Sequence, residues 1–440
     1  MRCNSEPFLK DLESLISIFK GDRKNLFDFV ECLLNRIERF DSKINSYINI
    51  SDKILKQAEL VSSDTLFSGL PIAVKDLVDT REIVTTYGSP FFSNHLPEND
   101  ALAVSYVKRN GGLILGKTNT HQFALGIVTP PTKNPWDLNR IPGGSSGGSA
   151  ASVAAGLSVL SLGTDTGGSI RIPASMCGVT GLKPSYGKLP MKGVFPESFS
   201  EDHLGPICRY ASDLRIVLKG IGARNIPSRR KKIFKVGLIT DFFEESDKNI
   251  KNKVMNAIDK LESEGIISEI LNFEIPGLNN IRKYHDIIDR AETYFHHSRK
   301  VLREKLQYPS DVKEEIDSGA RIRTQDYIYS VRYKQFSRTE FSKYMKGIDI
   351  LLSPTLPKSS TTIEVARRMK LKDHYTFTKF LTPFNYLGVP SLTIPCGFNL
   401  GLPIGLQMIS KYGYDNDVID IGSEYQKVSD WHKKIPEKFL

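Results

Sequence analysis

Apolar residues recur three and four apart in LESLISIF (12–19) and LFDFVECLLNRIERF (26–40), with a polar break at Asp22–Lys24. That spacing puts the apolar side chains on one helical face, so residues 1–60 read as an N-terminal helical segment. The period then changes. LPIAVKD is a short apolar run closed by a charged pair, and ALAVSYVKRNGGLILGKTN reads as helix, Gly-Gly turn and buried strand. SAASVAAG followed by LSVLSLGTD repeats the helix-to-strand order, and KVGLIT, NIKNKVMNAIDKLESEG and ISEILNFEI give strand, helix and strand. Such alternation predicts an α/β fold whose sheet is mostly parallel and twisted, with helices on both faces. Residues 279–345 turn helical and polar before strands return at IDILLSP, SLTIPCG and PIGLQMIS. A sheet that resumes after a helical insert favours one large domain, with a soft boundary near residues 227–235.

Composition narrows the class. A chain of 440 residues, 40% hydrophobic and 25% charged, is that of a globular protein without low-complexity blocks. No run approaches the ~20 apolar residues of a membrane helix. The opening MRCNSEPFLKDLESL lacks an apolar leader, so the expected location is cytoplasmic and no membrane partner is expected. Cys3, Cys32, Cys177, Cys208 and Cys396 are widely spaced, which suits a reducing compartment and speaks against a disulfide framework. With no CxxC or HExxH pattern, no metal and no cofactor are expected. The formal charge of +10 is spread along the chain, with one dense cluster at Arg229–Lys232. It gives no strong reason to expect a nucleic-acid partner.

Two glycine-serine knots frame the candidate chemistry: GGSSGG (143–148) and TGGS (166–169). A phosphate loop needs a lysine where GGSSGGSA has alanine, and a dinucleotide fingerprint should follow a strand rather than the loop-like NPWDLNRIP. TGGS does follow an apolar run, so Ser169 is expected on a tight turn beyond a strand end. Glycines there let successive N–H groups converge on one point, as an oxyanion site requires. Ser169 is therefore a candidate acyl-transfer nucleophile, although no suitably framed histidine stands near it in sequence.

The stretch GGSSGGSAASVAAGLSVLSLGTDTGGSIRIPASMCGVTGLKPSYG resembles the signature of the amidase signature family. GLPIAVKDLVDT, GGLILGKTNTHQFALG, DHLGPICRYASD and PFNYLGVPSLTIPCGFNLGLPIGLQMIS also look like family blocks in family order. The resemblance implies an amidase domain over 61–440, with a signature core at about 68–220 and a substrate-side insert at about 279–345. It implies a Ser–cis-Ser–Lys triad: Ser169 as nucleophile, Ser145 after a cis peptide as bridge, and Lys75 as base. Thr166, Gly167 and Gly168 would supply oxyanion donors, while Ser146, Asp165 and Arg171 would brace the loops. His121 and His203 read as structural, and Cys177 as small apolar core.

The implied reaction is hydrolysis of a small carboxamide to carboxylate and ammonia through an acyl-enzyme, and a homodimer is compatible with it. The alternative is the glutaminase component of a tRNA-dependent amidotransferase, its A subunit, which would bring partner subunits and tRNA. Several departures favour the free-standing amidase. RAETYFHHSRKVL lacks the amidotransferase stretch of that region; Glu314 or Glu315 stands where the amidotransferase carries a glutamine-clamping arginine; Thr378 stands where it carries a carboxylate.

Overall fold

The computed structural model describes residues 6–224, 230–304 and 308–440. Arg229 of the basic cluster lies outside the described residues. The helices Leu12–Gly21 and Arg23–Ile44 divide at the expected polar break, where the Asp22 carboxylate accepts the Lys24 N–H at 2.9 Å and caps the second helix. Their apolar stripes bury Leu15, Phe19, Phe29 and Leu33 completely. Each such side chain contributes about 1.5–3 kcal/mol. Arg36, on the second helix, donates to the carbonyls of Gly156, Ala155 and Phe439, which ties this segment to the rest of the chain.

Among the described residues eleven strands form one sheet: β1 (Tyr47–Ile50), β2 (Pro71–Lys75), β3 (Leu113–Thr118), β4 (Leu160–Asp165), β5 (Thr180–Lys183), β6 (His203–Cys208), β7 (Phe234–Ile239), β8 (Ile267–Phe273), β9 (Ile350–Pro354), β10 (Ser391–Asn399) and β11 (Leu402–Ile409). Their order is β1-β3-β2-β4-β6-β5-β10-β11-β9-β7-β8. The α/β architecture is as expected, with a mixed sheet. The parallel share is smaller than the alternation led one to expect. Parallel pairs are β2–β3, β2–β4, β7–β8 and β7–β9, whereas the central run from β4 to β9 is antiparallel throughout.

Two corrections follow. The N-terminal 60 residues are not wholly helical, because Tyr47–Ile50 pairs antiparallel with β3 as an edge strand of the sheet. Cys32 is disulfide-bonded, against the expectation from spacing, while Cys177, Cys208 and Cys396 are buried free thiols. The helical insert comprises Leu278–Glu304, Ser310–Gly319 and Thr324–Tyr344, close to the expected 279–345. Among the described residues no helix is long and apolar enough to cross a membrane.

Candidate active site

β2 ends on Lys75 and β4 on Asp165. They run parallel, with Val74 opposite Leu162, so both carboxyl ends open at one edge, where α/β folds place their ligands. Lys75 is fully buried, and its Nζ donates to Ser145 Oγ and Thr164 Oγ1, each at 2.7 Å. Burial penalises the ammonium and pulls Lys75 down to about 7, against the opposing pull of Glu197, Asp165 and Asp202.

Ser145 follows a cis Gly144–Ser145 peptide just ahead of the helix Gly147–Ala154. Its carbonyl accepts from Thr129 Oγ1 at 3.1 Å and from the His121 N–H at 3.2 Å. The Ser146 hydroxyl donates to the Thr164 carbonyl at 3.0 Å and accepts the Thr164 N–H at 3.2 Å, which locks the serine loop onto β4.

Ser169 lines a cavity of about 540 Å³, on the turn between β4 and the helix Arg171–Cys177. Its carbonyl accepts the Ser146 N–H at 3.1 Å, so backbone joins the two serine loops. Among the described residues its hydroxyl makes no hydrogen bond. Catalytic contacts are often loose before substrate binds.

Asp165 is the hub of this turn. It accepts from the N–H groups of Gly168 (3.0 Å) and Ile170 (3.1 Å), and from Arg171 Nη2 (2.8 Å) and Nε (3.0 Å). Burial works to raise its carboxyl, but the Arg171 guanidinium, Lys183 and the Asn385 amide together outweigh burial and hold it well below the ordinary carboxylate range. Arg171 also reaches Asn385 Oδ1 at 2.5 Å and Gln407 Oε1 at 3.0 Å. It thus fastens the turn to β11 and to the short helix Thr382–Tyr386.

The expected oxyanion trio needs correction at Gly168, because its N–H is already committed to Asp165. Its role is conformational instead: its φ of +122° disfavours a side chain, and a Cβ there would stand 2.5 Å from Leu381 Cδ1. The N–H groups of Thr166 and Gly167 have no partner among the described residues, and Gly167 lines the cavity. The Thr166 hydroxyl donates to Asp202 at 2.6 Å, and its carbonyl meets His285 Nε2 at 3.2 Å.

The remaining sequence readings are distributed as follows. His203 is buried between the Asp165 carbonyl (3.2 Å) and Lys183 Nζ (3.3 Å), a structural setting. Cys177 is buried and donates to the Pro142 carbonyl at 3.4 Å. Glu315 and Thr378 lie on the cavity wall, whereas Glu314 is exposed and does not line it. Sequence reasoning missed Thr164, whose hydroxyl accepts a second hydrogen bond from Lys75, and Asn385 and Gln407, which hold Arg171. It also missed an acidic wall of Glu197, Asp286 and Asp289 beside Glu315. No local signal marks these residues, since the β2–β4 register and the insert's packing bring them in.

A buried lysine on a serine, beside a second serine at a cavity, is the equipment of an amide- or ester-cleaving hydrolase. The Amidase family model matches residues 28–419. The chain belongs to the amidase signature family, whose members are amide-hydrolysing enzymes. It is 32% identical, over 98% of its own length and all of the relative's, to the A subunit of a glutamyl-tRNA(Gln) amidotransferase from Sulfurihydrogenibium sp.. A solved amidase structure superposes with a TM-score of 0.84 at 30% identity, covering 95% of this chain and 99% of the other. The A subunit of a glutamyl-tRNA(Gln) amidotransferase from Thermotoga maritima superposes with a TM-score of 0.79 at 27% identity, covering 94% of each chain.

Proposed function

We propose that this chain hydrolyses the C–N bond of a small carboxamide to carboxylate and ammonia, without cofactor and in the cytoplasm. Ser169 is the nucleophile, Ser145 the relay and Lys75 the base. Neutral Lys75 takes the Ser145 proton as Ser145 takes that of Ser169, and Ser169 Oγ attacks the amide carbon. The N–H groups of Thr166 and Gly167 meet the developing oxyanion, each worth roughly 3 kcal/mol. Collapse breaks the C–N bond and the relayed proton leaves with ammonia. Water then adds to the ester by the same relay and frees the acid. One observation carries the reading: a fully buried lysine, pulled toward neutrality, bonded to Ser145, whose neighbour Ser146 is joined by its N–H to the carbonyl of the cavity-lining Ser169.

A second reading is supported by the full-length similarity to amidotransferase A subunits. In it the same chemistry would release ammonia from glutamine for a partner-bound acceptor. Ammonia release from a panel of amides, glutamine included, tests both. The chain alone is expected to release ammonia from simple amides, and Ser169→Ala is expected to abolish it. A chain silent alone but active on glutamine with a copurifying partner would favour the second reading.

A further inference from the structure

The cavity is lined by both signs of charge, with Arg282, Lys283, Arg290 and Lys372 beside four carboxyl groups. Glu197, Asp289 and Glu315 all line the cavity. Glu197 Oε2 and Asp289 Oδ1 are buried and accept no hydrogen bond. Among the described residues none of the three carboxylates forms an ion pair. Arg290 pairs with Asp286 at 2.8 Å, although it lies near enough to Glu315 to favour its charge, and the His285 ring meets Glu201 at 3.0 Å. Lys283 and Lys372 are exposed at the cavity and form no ion pair among the described residues. Arg282 donates to the Lys379 carbonyl at 3.0 Å and stacks over Phe242. Its Nη2 is unpartnered, but it sits seven residues before Asp289 on the same helix, roughly 10 Å away along the axis.

Buried carboxylates without partners are costly unless something neutralises them. Burial itself does so by favouring the protonated form, which raises Asp289 and Glu197 well above the ordinary carboxyl range and Glu315 to about 7. A cation placed among them would remove the same cost and gain charge-assisted hydrogen bonds. Glu197 also lies near enough to Lys75 to act on it by charge, so such a cation would sit close to the reacting centre.

We propose that Glu197, Asp289 and Glu315 recognise an ammonium group on the substrate, so the amide hydrolysed is a primary amide with an amino-bearing acyl part. This rests on the amide-hydrolysis reading above. Glutamine fits less well, because its α-carboxylate is fixed to the same carbon as its ammonium and would be carried in among Glu197, Asp289 and Glu315.

The test is binding to the Ser169→Ala protein, measured by calorimetry so that no turnover is needed. Glycinamide, β-alaninamide and 4-aminobutanamide are compared with acetamide, propanamide and butanamide. At least one amino amide should bind about tenfold or more tightly than its neutral counterpart, and adding Asp289→Asn should erase that preference. A melting curve confirms that each variant folds, and Glu315→Gln serves should Asp289→Asn fail. Equal binding across every pair, or a preference that survives both substitutions, overturns the proposal. If the wild-type chain hydrolyses none of the six amides yet the binding preference holds, the hydrolysis reading fails and the recognition site stands.

Discussion

A lysine serves as a base only while its amine is neutral, and complete burial is what pulls Lys75 to about 7 instead of its ordinary value above 10. The sign follows directly. Below about pH 7 the proposed base holds its proton and the relay stops, so kcat/KM on a neutral amide should fall about tenfold per pH unit there and level off above about pH 8. A profile highest below pH 6 would contradict this. Thr164 holds Lys75 through a second hydrogen bond, so Thr164→Val should lower kcat more than it raises KM, and rescue by Thr164→Ser would separate hydrogen bonding from packing. The contact between Lys75 and Ser145 was legible because each stands in a dense local motif. Thr164 was not, although it adjoins Asp165 in sequence, because its contact exists only once β2 and β4 align.

At the scale of elements, the turn from β4 into the helix Arg171–Cys177 depends on a buried ion pair. Asp165 accepts three backbone N–H groups and the Arg171 guanidinium, and both side chains are fully buried. Removing one partner strands a buried charge, so Arg171→Met should destabilise the protein by about 3–5 kcal/mol, read as a lowered denaturation midpoint. An unchanged midpoint would show the pair to be dispensable. The brace between Asp165 and Arg171 was readable from the motif, but the expected donor role of Gly168 was not sustained, since Asp165 consumes that N–H. Strands β5 and β6 escaped the hydrophobic pattern for a related reason. TGLK is short, and HLGPIC carries glycine and proline inside a central strand, where both weaken the usual signal. Missing these two antiparallel strands made the sheet look more parallel than it is, and so did β9, β10 and β11, which were recognised as strands but pair antiparallel.

Across the whole molecule, Gly167 and Ser169 beyond the end of β4 share one cavity with residues of the helical insert. The polar pattern at 279–345 was enough to foresee a helical insert there. Which insert residues face Ser169 was not foreseeable, because that depends on how Leu278–Glu304 and Ser310–Gly319 pack over the sheet edge. Their packing sets Glu315 and Asp289 on the cavity wall, which the uncharged Thr378 also lines. An α-carboxylate entering beside Asp289 and Glu315 meets acidic neighbours, and losing charge-assisted contacts costs roughly 1.5–3 kcal/mol each. The chain alone should therefore release ammonia from glutamine at least about tenfold more slowly, by kcat/KM, than from its best simple amide. A preference for glutamine would reverse that reading and favour the amidotransferase alternative.

The central claim is that Ser169 becomes acylated, and covalent labelling reads this without knowledge of the substrate. A serine-directed fluorophosphonate should add once to the wild-type chain, and peptide mapping by mass spectrometry should place the adduct on Ser169. Ser169→Ala should remain unlabelled, while Lys75→Ala should label far more slowly. An adduct on another residue, or full labelling of the Ser169→Ala protein, would contradict the account.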